Sequence, residues 1–120
     1  IDRIDHGNRS LEDETLVERI VADGLTLTVC PLSNHKLCVV SDLAQHPIKR
    51  MLDKGLKATI NSDDPAYFGG YVNANFSVVT KAVGLTRDEI VTLAKNSFTG
   101  SFLTPAEIAA HLAEIDAYCA

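Results

Sequence analysis

Three short apolar runs, each separated from the next by a helix-like segment, limit the folds open to this chain more than any other feature. They cover residues 1–5, 25–30 and 56–61. The segments between them carry apolar side chains at helical spacing, and Gly24 and Gly55 end them. Strands that alternate with helices form βαβ units, in which the strands pair in parallel through right-handed crossovers. The sequence therefore predicts an α/β fold.

Capping residues predict where the helices of the chain begin. Ser10, followed three residues later by an aspartate, predicts the N-cap of the first helix, and Pro47 predicts the start of a short helix before the third strand. Residues 72–83 are predicted to be helical. Thr86 and Thr104, each followed three residues later by a glutamate, predict capping boxes for two further helices.

A pair of adjacent carboxylates, Asp63 and Asp64, follows the third predicted strand and is stopped by Pro65. Successive side chains along a regular strand point to opposite faces, so neighbouring carboxylates can serve one site only where the strand breaks. Pro65 supplies that break, because it lacks a backbone donor and biases the preceding residue towards extended geometry. The pair fits either a site where one carboxylate binds a metal and the other a substrate nitrogen, or an Asp-Asp-Pro surface turn.

Polar residues follow each predicted strand, the second group in a predicted loop. They are His6-Gly7, Ser33-Asn34 and Asp63-Asp64. In (β/α)8 barrels and open α/β sheets, active sites assemble from the carboxyl ends of the strands. His6 alone fits a metal ligand, a general base or a capped core histidine, but beside Asp63 it favours a metal or acid–base site. His46 and His111 lack this placement, and both are interpreted as structural.

Composition and charge narrow the partners and the compartment. The 120 residues are 46% hydrophobic and 22% charged, which is typical of one globular domain. A net charge of −5 argues against nucleic-acid and membrane partners, and no apolar run approaches the roughly 20 residues of a membrane span. The three cysteines form no CxxC pair, which favours reduced thiols in a cytoplasmic protein. The chain begins at Ile1 without a methionine, so we expect it to be a piece of something longer.

Three motifs occur in order along the chain. They are Arg3-Ile4-Asp5-His6-Gly7, Cys30-Pro31-Leu32-Ser33-Asn34 and Asn61-Ser62-Asp63-Asp64-Pro65. These motifs resemble the last three strand motifs of the adenosine/adenine deaminase family, which consists of zinc-dependent (β/α)8 purine deaminases. Their extended forms, residues 30–37 and 63–71, resemble the adenine deaminase branch more than the adenosine deaminases. The resemblance implies that residues 1–120 are the carboxyl-terminal portion of a single metal-dependent deaminase barrel domain, with about three βα units followed by carboxyl-terminal helices.

The resemblance also implies a role for each motif residue. Asp63 takes the position of a zinc ligand, Asp64 that of a contact to the purine, and His6 that of the group that orients and deprotonates the zinc-bound water. The candidate pocket residues are Gly7, Ser33 and Asn34. The implied reaction is the zinc-dependent hydrolysis of a small-molecule purine, adenine, to hypoxanthine and ammonia in purine salvage.

Part of the family's site is missing from these motifs. The family also carries an amino-terminal His-x-His pair, a further zinc histidine and a glutamate that protonates the purine N1. The resemblance therefore implies that the amino-terminal remainder of the barrel is required and that these residues alone are inactive. Two alternatives stay open from the sequence: adenosine or an N6-substituted adenine as the substrate, and a non-catalytic barrel fragment that associates with a complementary chain.

Overall fold

A parallel three-stranded sheet forms the centre of the computed structural model, which describes residues 1–120. The strands are β1 (Arg3–Asp5), β2 (Thr26–Val29) and β3 (Lys57–Ile60), and they lie in the order β1-β2-β3. Ile4 pairs with Leu27, which in turn pairs with Ala58, so the three strands start and end nearly level. The parallel pairing confirms the predicted α/β class.

Seven helices accompany the sheet. They are α1 (Glu14–Ala22), α2 (Pro31–Lys36), α3 (Ile48–Asp53), α4 (Pro65–Phe68), α5 (Val72–Val83), α6 (Arg87–Thr99) and α7 (Pro105–Cys119). The predicted capping boxes are present at Thr86 and Thr104, where each threonine and its glutamate exchange hydrogen bonds with the backbone. None of the helices combines the length and the apolar character that crossing a bilayer requires.

Two local predictions were wrong. Ser10 does not cap α1, because it lies inside a short 3-10 turn over Asn8–Glu12, and the Asp13 carboxylate instead accepts a hydrogen bond from the Leu16 N–H at 3.1 Å. The predicted loop at residues 33–34 belongs to α2, which begins at Pro31. Proline is favoured at a first helical position, where its missing N–H leaves no partner unsatisfied.

The core fills the space between the sheet and the helices. Twelve buried apolar side chains form it: Val17, Ile20, Leu27, Val29, Ile48, Met51, Leu56, Ala58, Ile60, Val79, Leu85 and Leu93. Asn96 of α6 also donates a 2.8 Å hydrogen bond to the Ala58 carbonyl, which fixes this helix against β3. Residues alternate along β1, so Arg3 and Asp5 lie on the sheet face opposite Ile4, which packs against the core. That opposite face carries the polar groups described next.

Candidate functional site

The backbone turns sharply just after β1 and just after β3. The residues at these turns, His6 and Asp63, carry an imidazole and a carboxylate. His6 directly follows β1 with φ 61°, and Asp63 lies just past β3 with φ 56°. Non-glycine residues rarely adopt this left-handed conformation, and it clusters at functional sites. The turns bring His6 Nε2 to 3.8 Å from Asp63 Oδ2, although the two residues are far apart in sequence.

A cavity of about 360 Å³ opens at this end of the sheet. Its lining residues are Arg3, Asp5, His6, Thr28, Cys30, Asn61, Ser62 and Asp63. A second cavity of about 340 Å³ is lined by His6 together with Gly7, Ser33 and Asn34. His6 therefore borders both spaces, with its side chain 40% exposed.

Ser33 fixes the orientation of the Asp63 carboxylate. Its hydroxyl donates a 2.7 Å hydrogen bond to Asp63 Oδ2, and the serine is fully buried. The start of α2 is held in turn by Asn75, whose Oδ1 accepts a 3.0 Å hydrogen bond from the Leu32 N–H. Asp63 Oδ1 has no hydrogen-bond partner in the chain, so this oxygen is available to a ligand.

The donor atoms around Asp63 fit a divalent metal such as zinc. His6, Cys30 and Asp63 each offer one atom, and these atoms lie within 4.8 Å of one another. Zinc accepts this mixture of nitrogen, oxygen and sulfur ligands. Burial, with Asp63 and Asp5 nearby, raises the pKa of the Cys30 thiol to about 11, and its Sγ–H donates to the Thr28 carbonyl at 3.4 Å. Without a metal Cys30 is therefore a neutral thiol at neutral pH, whereas Asp63 presents an oxygen that no other group of the chain occupies.

Asp64 lies apart from this cluster. Its Oδ1 accepts a hydrogen bond from the Tyr67 N–H at 3.2 Å and so caps α4, while the residue stays exposed. A capping carboxylate uses one oxygen for the helix and leaves the second free. The structure thus brings His6, Ser33 and Asp63 together, and leaves Asp64 on the adjacent surface.

Asp5 also lines the cavity, although it is not among the candidate site residues predicted from the sequence. The Thr28 hydroxyl donates a 2.9 Å hydrogen bond to its Oδ1, and this bond, reinforced by Arg3, lowers the pKa of the Asp5 carboxyl. Strand alternation could have predicted this position. Successive strand residues face opposite sides of the sheet, so Asp5 must face away from Ile4 and hence away from the core.

Gly7 and Asn34 complete the surroundings of His6. Gly7 has φ 74°, and a Cβ at this position would overlap the Leu27 side chain, so only glycine fits. The Asn34 side-chain amide contacts His6 Nδ1 at 3.2 Å, on the ring edge away from Asp63. The imidazole is therefore held by a hydrogen bond at Nδ1, while Nε2 stays open towards Asp63.

Comparisons with known proteins found a family model and curated relatives that match nearly the whole chain. The family model described as Adenosine deaminase matches residues 1–118. An adenine deaminase of Sphingopyxis alaskensis is 70% identical over 118 residues, which is 98% of this chain and 35% of that protein. The chain thus spans about a third of the length of this curated relative.

Two solved structures have the same fold. The adenine deaminase of Arthrobacter aurescens aligns with a TM-score of 0.96 at 48% identity, covering 99% of this chain and 36% of that one. An amidohydrolase of Burkholderia ambifaria, solved with bound Zn, aligns with a TM-score of 0.88 at 24% identity over 98% of this chain and 33% of that one. The three-stranded sheet and its helices are part of a (β/α)8 barrel. The chain belongs to the adenosine deaminase family.

Proposed function

We propose that these residues form the carboxyl-terminal portion of the barrel domain of a zinc-dependent adenine deaminase, which hydrolyses adenine to hypoxanthine and ammonia in purine salvage. The observation that carries this proposal is the 70% identity to the Sphingopyxis alaskensis adenine deaminase across nearly all of the chain. The cluster of His6, Ser33 and Asp63 at the strand ends supports it, because an imidazole beside a carboxylate suits hydrolysis at a metal site.

Asp63 is the residue proposed to hold the metal. Its Oδ2 accepts a hydrogen bond from Ser33, so Oδ1 would be the oxygen that holds the ion, and the zinc in the Burkholderia ambifaria structure supports the choice of metal. An ion held there would supply Lewis acidity, which makes water a usable nucleophile at neutral pH. A catalytic zinc takes about three protein ligands. The remaining ligands are therefore proposed to come from the rest of the barrel, beyond residues 1–120.

His6 is proposed to orient the attacking water and to accept its proton. Its Nε2 faces the same place as the Asp63 carboxylate, 3.8 Å from Oδ2. A general base must lie within hydrogen-bond reach of the proton it removes, directly or through one water. The left-handed turn at His6 and the close packing at Gly7 hold the ring in that position.

Asp64 is proposed to recognise the purine through N7. The oxygen that does not cap α4 is free for this contact. Both N7 and a carboxylate accept hydrogen bonds, so one proton must be shared between them. Either the carboxyl is protonated, or adenine binds as its N7–H tautomer.

The decisive experiment is a substrate comparison on the complete enzyme. Formation of hypoxanthine or inosine should be measured with adenine, adenosine and N6-methyladenine, alongside the zinc content of the protein; the amine released is ammonia from the first two and methylamine from the third. We expect adenine to have the highest kcat/KM and zinc to co-purify. A preference for adenosine or N6-methyladenine would move the substrate to that class, and an absence of turnover with all three would favour a non-catalytic role.

A further inference from the structure

A buried chain of hydrogen bonds links the start of α3 to the Nδ1 edge of His6. It starts at the Ile48 N–H, which donates to His46 Nδ1 at 3.2 Å. His46 Nε2 contacts Asn34 Oδ1 at 3.2 Å, and Asn34 Nδ2 contacts His6 Nδ1 at 3.2 Å. Both linking residues are closed to solvent, with His46 3% and Asn34 2% exposed. From the sequence alone His46 is interpreted as structural, and nothing in the proposed reaction uses it.

The direction of this chain follows from its first member. The Ile48 N–H is a main-chain donor, so His46 Nδ1 must accept from it. Burial lowers the pKa of His46 to about 4, so the ring is neutral and carries its single proton on Nε2. That Nε2–H must donate, which identifies the Asn34 atom beside it as the carbonyl oxygen.

The orientation of the Asn34 amide determines which nitrogen of His6 carries the proton. With its oxygen towards His46, its nitrogen faces His6 and donates to Nδ1. A neutral histidine with an accepting Nδ1 carries its proton on Nε2, which is the nitrogen 3.8 Å from Asp63 Oδ2. Turning the amide over would set two donors against each other at His46 and leave a buried N–H without a partner.

We propose that His46 is a positioning residue which, through Asn34, holds His6 in the tautomer whose Nε2–H points towards Asp63. This inference rests on the proposed function. It separates the two roles proposed there for His6, which are to orient the water and to accept its proton, because they need different tautomers. Orienting a water by donation uses the tautomer that the structure holds. Accepting a proton at Nε2 requires the reverse chain, in which Asn34 turns over and His46 gives up its bond from the Ile48 N–H.

Nitrogen NMR of ring-labelled histidines in the complete, zinc-loaded enzyme tests the proposal directly. Each neutral tautomer has its own pair of ring nitrogen shifts, and the His6 signals can be assigned from a His6→Gln variant. We expect the Nε2–H tautomer of His6 in the unmodified protein. Finding the Nδ1–H tautomer there overturns the proposal, whether or not the enzyme deaminates adenine.

Three substitutions test the chain of hydrogen bonds itself. Asn34→Asp replaces the donating amide by a carboxylate that can only accept, so it should place a proton on His6 Nδ1. His46→Leu removes the donor that orients the amide, so it should yield a mixture of the two tautomers. His46→Gln keeps an N–H at the same place and should restore the Nε2–H form. Unchanged His6 signals in both Asn34→Asp and His46→Leu would contradict the role of the chain.

His35 serves as an internal control in every spectrum. Its Nδ1 lies 3.1 Å from the Val40 carbonyl, so it must donate there and show the Nδ1–H tautomer. A variant in which His35 no longer shows the Nδ1–H tautomer has lost its local fold and is set aside. The His6 tautomer in the unmodified protein and in His46→Gln then tests the proposal. In kinetics we expect His46→Leu to lower kcat about tenfold, the scale for groups that orient site residues, with KM nearly unchanged. His111→Leu on α7 is the matched control and should change neither the His6 signals nor kcat.

Discussion

The Ser33 hydroxyl donates a 2.7 Å hydrogen bond to Asp63 Oδ2, and this bond joins the segment after β2 to the segment after β3. The serine has no exposed surface, whereas the aspartate side chain is 33% exposed. The buried partner therefore orients the accessible one. A carboxylate fixed in this way presents a single free oxygen in a set direction, which is what a metal ligand requires.

Removing the Ser33 hydroxyl should weaken zinc binding without abolishing it. In the complete enzyme, Ser33→Ala is expected to weaken zinc binding by about 10-fold to 100-fold, because the Asp63 carboxylate then rotates freely. Competition with a chelator of known affinity measures the effect. Ser77→Ala, on the exposed side of α5, is the control and should bind zinc normally. Equal zinc affinity in the two variants would mean that the bond orients nothing.

Substitutions of Asp63 and His6 should separate metal binding from chemistry. Asp63→Ala is expected to lose zinc and activity together, whereas His6→Ala should keep most of its zinc while kcat falls by roughly 10². Asp64→Asn should also keep zinc but raise KM for adenine. Metal analysis by mass spectrometry and steady-state kinetics on the same samples supply both readouts. Full zinc occupancy in Asp63→Ala would show that the ligand role belongs to another residue.

Gly7 and Gly24 form a matched pair for measuring close packing. Both have left-handed backbone, with φ 74° and 64°, but a Cβ at Gly24 meets nothing within 4 Å, whereas one at Gly7 overlaps Leu27. Gly24→Ala should reduce the free energy of unfolding by about 1 kcal/mol from backbone strain alone. Gly7→Ala should lose a further ~1–3 kcal/mol from overpacking. Urea unfolding of the complete protein measures the difference, and equal losses would contradict the overlap.

The buried ring of His46 should make the protein less stable in mild acid. Its pKa is lowered from 6.5 to about 4, so between these values the unfolded chain binds a proton that the folded protein does not. The free energy of unfolding therefore falls as the pH drops from about 6.5 to 4, by roughly 3 kcal/mol for this group, and levels off below. Unfolding at pH 7, 5.5 and 4 should show this slope in the unmodified protein and in His35→Gln. His46→Gln should have a shallower slope, and an identical one would refute the assignment.

The sequence predicted the helix caps and the parallel sheet, but it missed the individual hydrogen bonds between segments far apart in the chain. The capping boxes at Thr86 and Thr104 were predicted because cap and partner lie three residues apart. Ser10 was misassigned because Asp13, with an equally good capping side chain, lies within the same turn. The bond from Ser33 to Asp63 and the chain through His46 join segments brought together only by the sheet, so no local pattern marks them.

The isolated 120 residues should behave as an incompletely folded protein. β1 and β3 are both edges of the sheet, and large apolar side chains such as Phe102 and Tyr118 are 76% and 92% exposed. The accessible surface is 7017 Å², against about 6,300 Å² for a compact monomer of this mass. We expect the purified chain to bind a hydrophobic dye, to self-associate and to release no ammonia from adenine with zinc added. A cooperative unfolding transition of a monomer, or turnover, would contradict this prediction.

The left-handed backbone at His6 and Asp63 sets a limit on how this protein can be made more heat-resistant. Glycine adopts those angles without strain, so His6→Gly and Asp63→Gly should each relieve about 1 kcal/mol at the backbone. The same exchanges delete the imidazole and the carboxylate. A search that selects only for thermal tolerance will therefore be drawn towards glycine at the two positions where the chemistry is proposed to reside. Engineering for durability should hold both residues fixed and look for its gains elsewhere in the barrel.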